Sequence, residues 1–488
     1  MLYFRMMVTM VISFYTTRVV LNALGVVDYG LVNVIGSAVS MFSFLSSSLS
    51  TAASRFFNYQ LGKGNALELQ RTFSMILLLY GGLFVLLLVL SETVGLWVFR
   101  TKLVIPPERM EAAAWFFQFT VASLLIGIWS VPYQAMVISH ENMRVYALAS
   151  IFEAFAKLGI VYCVTLGSFD RLKLYGFLLC LVTAVHLTIY KVVCRGNYPE
   201  TRFVAYFNKK KFKTLLSFSG WNLFGSASHV FSNVMINILL NNYFGVVVNA
   251  ARGIALQVSN GANVFTQNFL TASRPQIVKY WAQKDNASYH LLVGRVSKLG
   301  YGLLLIVVLP VFVEINYLLN LWLKIVPDYA APFTRIVIVA SLIESVSVPI
   351  STAVQATGKV ALYQALIGVA ILVGLIGFWV ALASGVPPER SLLVVIAVSS
   401  ALTIIRIFFY CILTKANIYS FIRSVIVPVL AVTLLSVITP YVLYDKLPES
   451  LLRVFLCSIG SAFSVLLGGF VFLLSKKERE KILIMILN

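Results

Sequence analysis

Apolar runs of roughly 20 residues follow one another from end to end of this 488-residue chain, each long enough to cross about 30 Å of hydrocarbon as a helix. About fourteen are legible, at approximately 2–24, 30–54, 73–99, 112–138, 147–167, 174–192, 216–241, 247–272, 291–315, 331–354, 362–384, 391–413, 424–444 and 451–474. Hydrocarbon offers the backbone no hydrogen bonds, so a spanning chain must be helical or a closed barrel. The alternating 9–11-residue strands of a barrel are not seen. The expected fold is an all-α polytopic membrane protein, and 11% charged residues against about 25% in soluble domains agree with it.

The chain also repeats itself. Leu21-Asn22 and Thr51-Ala52-Ala53-Ser54-Arg55 are echoed by Leu240-Asn241 and Thr271-Ala272-Ser273-Arg274, the Asn and Arg pairs both 219 residues apart. Ser130-Val131-Pro132 with Tyr146 matches Ser347-Val348-Pro349 with Tyr363 at an offset of 217. Six spans precede the basic loop and six follow it, which gives an N-lobe (1–192), an inter-lobe linker (193–215), a C-lobe (216–413), two trailing helices (424–474) and a tail (475–488). A repeat with an even number of helices enters and leaves on one face. The lobes are therefore expected to be related by an axis along the membrane normal, with a cavity between them near the midplane, the usual build of a secondary transporter.

The net charge of +20 follows topology and does not call for nucleic acid, for which no loop is long enough. Loops 55–72, 139–146, 191–215, 273–298, 355–361, 414–423 and the tail carry 23 of the 38 Lys and Arg, against 10 in the opposite set. That imbalance places the first set and both termini in the cytoplasm. The linker mixes Phe203, Tyr206, Phe207 and Phe212 with Lys209, Lys210, Lys211 and Lys213, which suits either a helix on an anionic leaflet or a solvated basic connection. Pro106-Pro107-Glu108-Arg109 and Pro387-Pro388-Glu389-Arg390 read as helix starts. The five cysteines show no metal or disulfide spacing, and no Walker-A pattern occurs, so neither a cofactor nor ATP hydrolysis is expected.

Charges inside spans cost roughly 2.5–3.5 kcal/mol at the bilayer centre and so need a partner, a wet cavity or a task. Arg18 and Arg252 are candidates to line the cavity. Glu153 and Lys157 lie four apart on one helix face and form either a self-neutralising pair or part of a site. Their counterparts, Ala370 and Gly374, are uncharged, an asymmetry expected of a site. Glu344, near the middle of its span, is a candidate for ion coupling or for pairing with an arginine. The repeated pair Arg55 and Arg274 is expected to cap the cytoplasmic ends of its spans, as snorkelling residues or as a cytoplasmic gate. A cavity bordered by Arg18, Arg252 and Lys157 favours an anion, phosphate above all, because arginine makes forked bonds to phosphate oxygens.

The opening Arg18-Val-Val-Leu-Asn-Ala-Leu-Gly-Val-Val-Asp-Tyr-Gly-Leu31, followed by Arg55-Phe-Phe-Asn-Tyr-Gln-Leu-Gly-Lys-Gly-Asn65, resembles the lipid-linked oligosaccharide flippases. These are the Wzx-type, polysaccharide-export members of the multidrug/oligosaccharidyl-lipid/polysaccharide (MOP) superfamily, and the layout agrees over the whole chain. The resemblance implies alternating access in a bacterial inner membrane. An undecaprenyl-pyrophosphate-linked sugar unit would pass from the cytoplasmic to the periplasmic side, for O-antigen or capsule. It further implies that Arg18, Arg252 and Lys157 hold the substrate, with a proton or sodium gradient, membrane lipids and other polysaccharide-assembly proteins as partners, and no enzymatic step. The chain departs from the pattern at its start, where it opens inside the first span in place of a cytoplasmic lead.

Three readings compete. A multidrug cation antiporter of the same superfamily shares the fold but is expected to place acidic residues in the first span, where this chain has Arg18. A major-facilitator transporter with fourteen helices would carry its extra pair between the lobes. A membrane-embedded sugar polymerase or ligase would need a larger outer loop bearing acid and base groups.

Overall fold

A computed structural model describes residues 2–40, 43–101, 105–166, 169–323, 326–474 and 478–480; for part of the first two helices, Arg18 and Asn22 included, it describes the backbone alone. The chain divides into two compact units, Met1–Leu223 and Phe224–Asn488. Unit 1 contains α1 (Leu2–Ser40), α2 (Ser43–Gly62), α3 (Ala66–Leu90), α4 (Leu96–Thr101), α5 (Met110–Ser139), α6 (Met143–Leu166), α7 (Arg171–Asn197) and the start of α8 (Lys209–Ala282). Unit 2 holds the rest of α8, then α9 (Asn286–Val313), α10 (Ile315–Trp322), α11 (Ala330–Ala356), α12 (Ala361–Ala383) and α13 (Pro388–Leu392). It closes with α14 (Val394–Thr414), α15 (Ile418–Phe421), α16 (Val427–Lys446) and α17 (Leu451–Gly468).

The all-α membrane architecture is as expected. Eleven helices among the described residues are long and apolar enough to cross a membrane. The remaining three expected spans fall on α1 before its break, on the second limb of α1 with α2, and on the second limb of α8. Both breaks have the same cause. Gly25 in α1 and Gly245 in α8 leave helical geometry alone among their neighbours, at φ 80°, ψ 170° and φ 82°, ψ −175°. That region is essentially closed to residues with a Cβ, so a single glycine folds each apolar rod back on itself.

The repeat extends to the turns. Gly64 and Lys284, 220 apart, both take positive φ, and the next residue caps the following helix: Asn65 Oδ1 accepts from the Glu68 N–H and Asp285 Oδ1 from the Ser288 N–H. Glu141 and Gly358 repeat the left-handed turn at an offset of 217. Pro132 and Pro349, also 217 apart, lie inside α5 and α11.

Lipid tails are as apolar as leucine, so close packing and interhelical hydrogen bonds hold these helices together more than exclusion of water does. A Cβ on Gly176 of α7 would sit 2.8 Å from Phe116 of α5, which is how closely those two helices approach. Phe57, Phe73, Tyr80 and Phe116 anchor the core of unit 1, and Tyr289, Ile350, Tyr363 and Val432 that of unit 2. In unit 2 the Tyr289 hydroxyl donates to the Ala353 carbonyl (2.8 Å) and the Tyr363 hydroxyl to Ser351 Oγ (2.8 Å). One buried ion pair ties α17 into this unit: the Arg453 guanidinium grips both oxygens of Glu314 at 2.8 Å.

Two helices run further than hydropathy indicates. α2 continues to Gly62 and α8 to Ala282, so Arg55 and Arg274 lie about two turns inside their helices and not at the ends. The helical pattern carries on through polar residues once the apolar run is over. Between α7 and α8 the basic segment is short. A 3-10 turn, Pro199–Thr201, leads to an extended stretch, and Lys209 already opens α8.

Candidate functional site

One cavity in each unit occupies a repeat-equivalent position. Ala154, Lys157 and Tyr175 line the first; Ile371, Gly374 and Leu392, each 217 residues on, line the second. Their chemistry differs.

The cavity of unit 1, about 590 Å³, lies among α1, α5, α6 and α7. Lys157 and Glu153, one helical turn apart on α6, pair at 2.7 Å. His186 of α7 approaches the other Glu153 oxygen at 3.5 Å, so the carboxylate stands between two nitrogen groups. Arg5 lies 4.8 Å from the centre of the Tyr146 ring and donates to Ser150 Oγ at 3.3 Å. Thr9, Thr16, Gln134 and Tyr29 add neutral polar groups to the wall. The wall thus carries one carboxylate, two permanent cations and several hydrogen-bonding side chains.

The cavity of unit 2, about 100 Å³, is smaller and more apolar. Its cation is Arg252, buried at 3% exposure on the second limb of α8. The guanidinium is held by the first limb: one terminal nitrogen donates to Asn233 Oδ1 at 2.9 Å, the other to the Asn233 carbonyl at 3.3 Å and to Asn237 Oδ1. Asn233 and Asn237 lie four apart and face the same way, so the hairpin made by Gly245 brings the arginine to both. These bonds use three of five donors. Glu344 of α11 lies on the same cavity and accepts from Ser399 Oγ of α14 at 2.8 Å. A polar seam continues along these helices, with Ser347 receiving Thr403 Oγ1 at 3.1 Å and Arg406 at 2.8 Å.

The structure therefore brings Glu153 together with Lys157, and places Arg252 and Glu344 around one cavity. The Arg18 side chain lies outside the described residues. Arg55 and Arg274 line neither cavity. Arg55 lies among aromatic rings, with the centres of Phe56, Tyr59 and Phe218 at 4.6, 5.1 and 5.4 Å, a cation–π setting. Four contributors escape a reading based on charged residues in spans: Arg5, because it sits at the very start of a span, His186 as a lone histidine, and Asn233 and Asn237 as neutral groups. The spacing of the two asparagines, one turn apart in an apolar span, was the available signal.

No family model and no curated protein sequence matches the chain. Its fold is shared with solved transporters at low identity. It superposes on a MATE transporter in the straight conformation with a TM-score of 0.71 and 14% identity, over 85% of this chain and 96% of that one. An outward-facing multidrug resistance MATE family transporter of the MOP superfamily gives 0.69 at 14%, over 86% and 95%. A MOP superfamily transporter from Pyrococcus furiosus Vc1, described by its reverse binding-pocket polarity, gives 0.68 at 13%, over 86% and 95%. The chain thus shares the fold of these solved transporters.

Proposed function

We propose that this protein is an alternating-access transporter that moves a lipid-linked oligosaccharide, carried on a pyrophosphate, from the cytoplasmic to the outer leaflet of a bacterial inner membrane. The observation that carries this reading is Arg252, a buried cation fixed by two asparagines with donors left to fork onto a phosphate. Lys157 and Arg5 add cations at the equivalent cavity of the other unit, and Arg18 is proposed to join them. Tyrosine, glutamine and threonine groups on the unit 1 wall are suited to sugar hydroxyls. Both termini lie in the cytoplasm on this reading, and a proton or sodium gradient or other polysaccharide-assembly proteins drive turnover.

A second reading, export of cationic drugs in exchange for an ion, draws on Glu344 at the Arg252 cavity and on the multidrug description of one structural neighbour. The neighbour whose reversed pocket polarity is described as suggesting a different function supports the view that the polarity of the pocket, more than the fold, separates the two readings. One strain lacking the gene separates the two. Loss of surface glycan with lipid-linked units retained on the cytoplasmic leaflet, and unchanged resistance to lipophilic cations such as ethidium, is expected. Normal glycan with raised cation sensitivity would reject the flippase reading.

A further inference from the structure

We propose that the connection between α7 and α8 is a binding surface for anionic phospholipid headgroups, with Phe203 and Phe207 seated in the bilayer interface and Lys209, Lys210 and Lys213 on the phosphates. The segment is built, not loose. Gln70 donates to the Arg202 carbonyl (3.1 Å) and the Val204 N–H to Ser74 Oγ (3.0 Å), which fixes the backbone against α3. Tyr206 lies beneath two cations, Arg71 at 4.8 Å and Lys211 at 5.8 Å.

Charge is partitioned along this segment. Two carboxylates lie nearby and both are engaged: Lys211 and Arg71 share Glu68, and Glu200 meets His140 Nε2 at 2.7 Å. Lys209, Lys210 and Lys213 are exposed and pair with no carboxylate among the described residues. Beside them Phe203 and Phe207 are 57% and 61% exposed, with the Phe207 ring 5.3 Å from that of Phe212. Exposed phenyl rings followed closely by lysines that pair with no carboxylate among the described residues match a surface that is apolar a few ångströms down and negative on top. The occupant is the leaflet around the protein, because the segment joins two spanning helices and cannot lie far from the bilayer. This rests on the cytoplasmic placement given by the charge distribution, and is independent of what the protein transports.

The full-length Phe207→Trp variant in nanodiscs provides the test, read as quenching of the added indole above the seven native tryptophans. Brominated phosphatidylglycerol should quench it more than brominated phosphatidylcholine, since each lysine near an anionic surface contributes about a fivefold preference. Adding Lys209→Gln, Lys210→Gln and Lys213→Gln should bring that preference close to one. Equal quenching by the two lipids, or a preference unchanged in the triple variant, would overturn the proposal. Should the triple variant not fold, salt gives the second measurement: a preference between exposed charges must fall as salt rises, and one that does not refutes the assignment.

Discussion

Gly25 and Gly245, 220 residues apart, hold the same non-helical backbone, and each turns one continuous apolar stretch into a helical hairpin. The match lies in a conformation that few residues can adopt, which makes it stronger testimony to duplication than a shared side chain. It also sets the geometry of the second cavity, because the Gly245 turn is what lets Asn233 and Asn237 reach Arg252.

The expected result of Gly25→Ala or Gly245→Ala follows from backbone strain alone. Among the described residues, and setting aside the adjoining ones in the chain, no heavy atom lies within 4 Å of a Cβ built at either position, so space is not the obstacle. Each change should destabilise by roughly 1–3 kcal/mol, visible as a lower unfolding temperature of the purified protein in detergent. Gly82, helical and with equally open surroundings, serves as the control, and its alanine variant should be neutral or slightly stabilising. Unchanged stability of both turn variants would remove the strain argument.

Helices and duplication were legible in the sequence because both rest on side-chain chemistry that recurs at fixed intervals. The limits of α2 and α8 were not, since hydropathy ends where apolar residues end while the backbone pattern runs on past Arg55 and Arg274. Glu153 with Lys157 could be read because one helical turn separates them. The neighbours of Arg252 could not, because a bond between the limbs of a hairpin depends on how the Gly245 turn is made. His186 beside Glu153 required knowing that α6 packs on α7.

Acid should weaken unit 1 through Asp170. Burial acts to raise this carboxyl, but the Arg109 hydrogen bonds, with the Lys173 and Leu172 N–H groups, outweigh it and hold it below the ordinary 3.8. A depressed carboxylate contributes stability above its unfolded-state pKa and loses it as pH falls through the folded-state value, so the loss belongs below about pH 4. Asp170→Asn keeps a good N-cap for α7 while removing the charge. It should cost about 1 kcal/mol near neutrality, as partly exposed pairs do. Below pH 4 the variant and the parent should converge in unfolding temperature. A constant gap at all pH values would show that capping, and not charge, is what Asp170 supplies.

Exchanging the α6 pair separates scaffold from site. With Glu153→Lys and Lys157→Glu together, a pair 2.7 Å apart reforms in reverse, and stability should change by less than about 0.5 kcal/mol. A purely structural pair then leaves export intact. The exchange nevertheless moves the cation one turn along the cavity wall and sets a lysine beside His186, so loss of export in a protein that still reaches the membrane is the expected outcome. Normal export would assign the pair to the scaffold.

Arg252 offers the sharpest test of an anionic cargo. Arg252→Ala strips Asn233 and Asn237 of their shared donor, and unpaired buried acceptors cost about 1–3 kcal/mol, so lost export alone would be ambiguous. Arg252→Lys keeps the charge without the planar fork, while Asn237→Ala keeps the fork but loosens its aim. If the fork binds phosphate, the lysine variant should export about tenfold more slowly and recover in part when lipid-linked substrate accumulates; the alanine variant should not recover. The Asn237 variant should fall between the parent and the lysine variant, because two bonds to Asn233 still direct the guanidinium. Parental export rates from Arg252→Ala, at normal protein levels, would mean that this buried cation serves the fold and that the cargo is bound elsewhere.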